Sequence, residues 1–232
     1  MSYKKLSIVI PAFNEAATIA QIIARVKAVN LPNHLSREII VVDDGSTDDT
    51  ASIVKKLVDA HMTYVYQQNQ GKAAAIRKGF QISSGDILLI QDADLEYDPA
   101  EYPQLLAPIL EGRSQVVYGS RFLGNIKKME PINRLANNIS NWTMRALWGV
   151  NITDINTCYK VFTRQALDGV IITAAHFALE TELTIKMVTK GLGIVEVPIQ
   201  YQARSRAAGK KIRWSTALQM YWPIIKYRFI HP

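Results

Sequence analysis

Cysteine occurs once in the 232 residues, at Cys158, which excludes an internal disulfide and a cysteine-built zinc cluster. No apolar run approaches the roughly 20 residues that span a bilayer. The amino terminus, Met1-Ser2-Tyr3-Lys4-Lys5, runs into a strand pattern without the apolar core of a signal peptide. These absences predict a cytoplasmic protein, soluble or peripheral to a membrane. The three sequons at Asn138, Asn141 and Asn151 are then pattern only. Neither Gly-x-Gly-x-x-Gly after the first strand nor a Walker lysine motif is present, which disfavours a dinucleotide dehydrogenase and a P-loop NTPase. His34, His61, His176 and His231 show no ligand spacing. Disorder is not expected either, because 48% of the residues are hydrophobic.

Charge is present but unevenly placed. Residues 1–112 hold 10 Lys and Arg against 14 Asp and Glu, a balance of −4; residues 113–232 hold 17 against 6, a balance of +11. The length suits one domain or two tightly joined halves, and the reading taken is a single domain over 1–232. Its first half (1–112) is suited to a cation. Its second half (113–232) is suited to anions: phosphates, a membrane surface or nucleic acid.

The first half alternates strand and helix patterns. Strands are predicted over residues 6–10, 38–42, 63–66 and 86–91, and helices over 15–29 and 71–82. Another helix follows Ser46-Thr47-Asp48-Asp49, which resembles a capping box. Such alternation argues for an α/β fold with a mostly parallel sheet flanked by helices. Beyond residue 113, strands are predicted over 115–118, 158–162 and 194–199, and helices over 131–149 and 176–190. In the 131–149 helix Ile132, Leu135, Ile139, Trp142 and Ala146 share one stripe. Arg134, Asn138, Asn141 and Arg145 lie beside it. The tail, residues 214–229, mixes aromatic and basic residues, which fits a membrane interface or a helix that completes the core.

Three polar clusters follow predicted strands: Pro11-Ala12-Phe13-Asn14-Glu15, Asp43-Asp44-Gly45-Ser46 and residues 92–96. Parallel strands share one carboxyl edge, where open α/β sheets bind ligands and helix amino termini offer N–H groups to phosphate. Asp92 and Asp94 come directly after an apolar run. If the strand continues through Asp94, both carboxylates point to one side. Like charges there repel unless a cation lies between them, and a hard divalent ion such as Mg2+ or Mn2+ takes oxygen ligands. Alone, the pair is better read as a strand ending in a loop; with the other two clusters it predicts a site.

In order and spacing, Ile8-Val9-Ile10-Pro11-Ala12-Phe13-Asn14-Glu15, Val41-Val42-Asp43-Asp44-Gly45-Ser46-Thr47-Asp48 and Asp92-Ala93-Asp94 resemble the family 2 inverting glycosyltransferases of GT-A fold. Gly119-Ser120-Arg121-Phe122, Thr157-Cys158-Tyr159-Lys160-Val161-Phe162 and Gly209-Lys210-Lys211-Ile212 are similar to its branch of dolichol-phosphate mannosyltransferases and bacterial polyprenyl-phosphate glycosyltransferases. The likeness covers nearly the whole chain. It implies a GDP- or UDP-linked sugar donor, Mg2+ or Mn2+, a polyprenyl phosphate acceptor, and work at the inner face of a membrane. Carried across by motif, Pro11, Phe13, Glu15 and Asp44 hold the nucleoside. Asp92, Ala93 and Asp94 serve the diphosphate, Arg121 serves the sugar phosphate, and Asp94 with Glu96 serves the metal. Relatives often have Gln where this chain has Glu96. Asp92, Asp94 and Arg121 are the expected catalytic set.

A phosphate monoester, with its second pKa near about 6, is already a nucleophilic anion at neutral pH and needs no general base. It needs cations, for which Arg121, Arg134, Arg204, Arg206, Lys210 and Lys211 are the candidates, with Asn138 beside them. The basic stretch 204–211 reads as a solvated loop or as one that orders over the donor. Cys158 reads as a packing residue. Two rivals stand against this reading. A sugar-hydroxyl acceptor requires a base, which Glu180 or Glu182 offers, although Glu182 and Lys186 also suit an ion pair. A non-enzymatic module binding nucleic acid or acidic membrane leaves the carboxylates without a purpose, so no nucleic-acid partner is expected.

Overall fold

The computed structural model describes residues 3–127, 129–174, 178–203 and 214–229, the last with side chains from Tyr221 onward. Seven strands, β1 (Lys5–Ala12), β2 (Ser36–Asp43), β3 (Met62–Tyr66), β4 (Ile87–Ile90), β5 (Val116–Lys127), β6 (Lys160–Thr163) and β7 (Ile194–Gln202), form one sheet in the order β3-β2-β1-β4-β6-β5-β7. β6 runs antiparallel to both its neighbours, and the other pairings are parallel. Hence β1, β2, β4, β5 and β7 end on one edge, and β6 begins there. All seven strands overlap the expected stretches, but β5 runs on to Lys127, well past the end expected at Tyr118.

Consecutive strand residues feed different cores. Leu89, Val117 and Val161 belong to one buried cluster, and Ile90, Val116, Tyr118 and Phe162 to another. Neighbours along a strand point to opposite faces, so the sheet is covered on both sides. Helix α1 (Ile19–Ala28) buries Ile19, Ile22, Ile23 and Val26 as its spacing predicted. It begins four residues later than expected: Asn14 takes a left-handed φ of 52°, and the Thr18 and Ile19 N–H groups donate to the Glu15 carbonyl. In the Ser46–Asp49 stretch it is Asp48 that accepts from the Thr50 N–H, which opens α2 (Thr50–Leu57).

Helix α3 is Lys72–Ile82 and α4, unforeseen from sequence, is Tyr102–Leu110. Two prolines disguise α4. One occupies the first turn, where the missing N–H has no helical partner to lose. Helices α5 (Pro131–Trp148), α6 (Arg164–Leu167), α7 (Leu179–Thr189) and α8 (Trp214–Phe229) complete the chain. Helix α8 contributes to the core through Ile224, buried in the second cluster, while Trp222 and Phe229 face outward.

Helix α3 seats flush on β1. A Cβ on Gly79 would lie 2.3 Å from Val9 Cγ1. Gly79→Ala is therefore expected to destabilise the protein by about 1–3 kcal/mol through overpacking, read from denaturant midpoints.

Lys160 is wholly buried on β6, with Nζ 2.9 Å from the Ile155 carbonyl and 3.4 Å from the Tyr118 ring centroid. Burial draws its pKa down to about 7, against the raising influence of Glu180 and Asp154; the ring offsets part of that penalty. Between pH 7 and the usual lysine value near about 10, the folded protein thus binds fewer protons than the unfolded chain, and this group's contribution to stability rises with pH. Unfolding free energies at pH 7 and 9 are expected to show that rise in the parent, at most about 1.4 kcal/mol per pH unit, and to lose it in Lys160→Met.

Candidate active site

The clusters after β1 and β2 interlock at the shared edge. The Asn14 and Glu15 N–H groups donate to the Ser46 and Thr50 hydroxyls at 3.0 and 2.9 Å, and Thr47 N–H returns a bond to Asn14 Oδ1 at 2.8 Å. Glu15 is buried, its Oε2 accepting from the Thr18 hydroxyl, while Pro11 and Phe13 remain half-buried. Asp44 is committed to loop building. Its carboxylate accepts from Gln67 Nε2 (2.6 Å), Gln70 N–H (2.9 Å) and Gly71 N–H (2.7 Å), fixing the entry to α3.

That entry delivers Lys72, which sequence reasoning did not single out. Its Nζ lies 2.8 Å from Asp92 Oδ1, 3.0 Å from Glu180 Oε1 and 3.1 Å from Cys158 Sγ. Burial works against its charge, but Asp92, Cys158 and Glu180 hold its pKa well above the ordinary lysine value. The cation that the crowded carboxylates demand is therefore supplied in part by the chain. Burial, then Asp92, push the Cys158 thiol pKa well up, against the lowering influence of Lys72, which fits a packing residue.

Strand β4 stops at Ile90, so the extended path imagined through Asp94 does not exist. Gln91 instead anchors a turn. Its Oε1 accepts from the Tyr102 and Tyr159 hydroxyls, both at 2.8 Å, and its Nε2 donates to the Asp92 carbonyl. Leu95 adopts a φ of 63°, and Asp94 Oδ1 accepts from the Glu96 N–H at 3.1 Å. Asp92 and Asp94 stay half-buried at the rim, with Ala93 buried between them. Glu96 turns inward, where Oε2 accepts from the Tyr201 hydroxyl at 2.6 Å.

Arg121, at the same edge on β5, has a buried partner in Asp154. Its Nε and Nη2 each lie 2.7 Å from that carboxylate, and Nη2 also reaches Asn137 at 3.3 Å. Its guanidinium stacks 5.0 Å from the Tyr201 ring centroid. Losing one partner of such a buried pair costs about 3–5 kcal/mol, so the pair is a fixed wall of the site. Asp154 itself is placed by Glu196, which accepts from the Thr153 and Asp154 N–H groups.

Of the polar stripe on α5, Asn141 Oδ1 accepts from the Ile155 N–H at 3.0 Å, whereas Arg134 and Asn138 are exposed. Arg204, Arg206, Lys210 and Lys211 lie outside the described residues. The two candidate bases separate cleanly. Glu182 is fully buried and accepts from Thr173 N–H, Ala174 N–H, Lys186 and Tyr227, which makes it an anchor. Glu180 faces Lys72, and among the described residues its Oε2 has no hydrogen-bond partner. Among the described residues no three His, Cys, Asp or Glu side chains converge on a ready metal site. Asp94 at the rim suits in donor type a hard divalent cation that completes its shell with water and substrate phosphate.

The missed residues had faint signals. Lys72 follows a glycine at a helix start in the acidic half, and Asp154 is one of six acids in the basic half.

A parallel-rich sheet that presents an acidic turn and a buried arginine at one rim is the GT-A arrangement of sugar-nucleotide transferases. Glucosyl-3-phosphoglycerate synthase from Mycobacterium tuberculosis, solved with Mn2+, UDP and glucosyl-3-phosphoglycerate, superposes with a TM-score of 0.75 over 97% of this chain and 80% of that one, at 22% identity. The family model for glycosyl transferase family 2 matches residues 7–171, and the chain belongs to that family.

Glycosyltransferase AglJ of Haloferax volcanii is 30% identical over 200 residues, covering 85% of this chain and 63% of the relative. Dolichol-phosphate mannosyltransferase of Pyrococcus furiosus is 29% identical over 212 residues (89% and 59%). Polyprenol monophosphomannose synthase of Mycolicibacterium smegmatis is 30% identical over 233 residues (94% and 86%). The chain thus spans about six-tenths of the first two relatives and most of the third.

Lys72→Met leaves Asp92 and Glu180 beside each other without their shared cation. An expected loss of about 3 kcal/mol is measured by urea unfolding at pH 7.

Proposed function

We propose that this chain moves a hexose, mannose from GDP or glucose from UDP, to a polyprenyl phosphate at the cytoplasmic face of a membrane. The observation that carries the reading is the commitment of Glu180 to Lys72. That acid is tied to the ammonium it shares with Asp92, which suits an acceptor that arrives as an anion and needs no base. The names of the polyprenol monophosphomannose synthase and dolichol-phosphate mannosyltransferase relatives support the acceptor class.

In this reading the interlocked loops after β1 and β2, with Pro11, Phe13 and Glu15, frame the nucleoside, and Asp44 acts by holding their neighbour loop in shape. Lys72 keeps Asp92 in position and lends positive charge to the place where the diphosphate rests. Asp94, with Glu96 near it, would hold Mg2+ or Mn2+, which when bound offsets the charge building on the departing diphosphate. The Arg121–Asp154 pair fixes the wall against which the transferred sugar sits. Arg134 and Asn138, open on α5, receive the acceptor phosphate together with Arg204, Arg206, Lys210 and Lys211.

An assay crossing GDP- and UDP-linked hexoses with short polyprenyl phosphates, with Mg2+ or Mn2+ present, tests the proposal. Transfer with one nucleotide is expected, and Asp94→Asn should lower turnover by at least about 100-fold. Parental turnover in that variant, or transfer to sugar hydroxyls in preference to the phosphate, overturns it.

A further inference from the structure

Among the described residues three buried side-chain oxygens have no hydrogen-bond partner: Glu180 Oε2, Asn156 Oδ1 and Glu101 Oε2. Proteins rarely leave a buried acceptor unpaired, so each such atom asks for a proton or for a donor from outside the chain. Glu101 has the first way out, because burial lifts its carboxyl pKa to about 7. The other two stand together at the site. Glu180 is 4% exposed, and its Oε1 lies 3.0 Å from Lys72 Nζ. Asn156 Nδ2 donates to Asn137 Oδ1 at 3.0 Å, the same oxygen that takes a bond from Arg121 Nη2. One short segment bridges the two cations: Asp154 pairs with Arg121, and Cys158 Sγ is 3.1 Å from Lys72 Nζ. Asn156 lies midway between them in sequence. It is half-buried, as is Cys158, so the segment reaches the surface of the opening.

We propose that Glu180 and Asn156 read the transferred hexose, Oε2 and Oδ1 each accepting a hydrogen bond from one of its hydroxyls. The chemistry of the two atoms selects the ligand. A carboxylate paired with an ammonium is an acceptor only, and so is an amide oxygen. The diphosphate and the acceptor phosphate bring oxygens that accept, and the carboxylate of a uronic acid would meet the Glu180 charge. Neither supplies what is missing, whereas the hydroxyls of a neutral hexose do. Both oxygens are also held before the sugar arrives, Glu180 by Lys72 and Asn156 by Asn137. A fixed acceptor that is left unpaired rejects a ligand lacking the donor.

This role rests on the proposed transfer and narrows its donor to a neutral hexose with both hydroxyls free, in preference to a deoxy sugar or a uronate. It also separates two uses of Glu180. A base takes the proton of an acceptor, whereas a reader of the donor takes none and acts before any acceptor binds.

The test is calorimetric, on the full chain with Mn2+ present, for the parent, Glu180→Ala and Asn156→Ala. Each is titrated with GDP, UDP, their hexose donors, and donors in which one hexose hydroxyl at a time is replaced by hydrogen. The parent is expected to bind the intact donor at least about tenfold more tightly than two of its deoxy analogues. Glu180→Ala should bring one of those ratios to within about twofold and Asn156→Ala the other, while free nucleotide binds parent and variants alike. Ratios that persist in the variants overturn the proposal, as do equal losses for free nucleotide and donor, which mark a structural role. Intact donor binding by Glu180→Ala with transfer abolished overturns it too, because a base behaves in that way. Ratios lost in the variants of a parent that turns over no prenyl phosphate uphold the hexose contacts and reject the acceptor.

Discussion

A single ammonium organises the rim of this sheet. Lys72 holds Asp92 and Glu180 within 3.0 Å of one nitrogen and touches Cys158. It thereby ties together α3, the turn after β4, the segment before β6 and the start of α7. Four stretches far apart in sequence meet at one charge, and burial strengthens the attraction because little water remains to screen it. The acidic half would otherwise repel itself at this rim. Asp44 makes this possible at a distance, since the loop it caps sets where α3 begins and therefore where Lys72 stands.

Aromatic packing does the corresponding work on the other side of the turn. Tyr97 stacks on Tyr159 and Tyr201 at 4.8 and 5.3 Å, and Tyr201 in turn carries Arg121 on its face and Glu96 on its hydroxyl. The acid turn, the arginine wall and the end of β7 thus share one ring cluster. Glu96 is consequently a link between the turn and β7 as well as an acid beside Asp94, a role that its place in the motif does not suggest.

The strands were legible because each carries a short apolar run, whereas their spatial order and the reversal of β6 left no mark in the sequence pattern. The sequence position of the rim was legible too, since Pro11–Glu15, Asp43–Ser46 and residues 92–96 all follow such runs. The local path of the chain was not. Leu95 in a left-handed conformation and the Gln91 anchor replace the extended course assumed for Asp92 and Asp94, and neither leaves a mark that pattern reading detects. Lys72, Asp154 and Asn137 escaped notice because their meaning lies in partners more than fifteen residues away. The α5 stripe was seen, but periodicity reports only that a helix has two faces; which face turns inward depends on the bonds available at Thr153–Ile155 and Arg121.

Reversal of a single strand has its own consequence. Because β6 runs against β4 and β5, the segment leading into it crosses the front of the sheet and brings Asp154, Asn156 and Cys158 to the middle of the opening. The parallel strands β1, β2 and β4 pair with one another without it, so that segment is a front panel laid over a separate frame and pinned to it by Asp154 on Arg121 and by Cys158 beside Lys72.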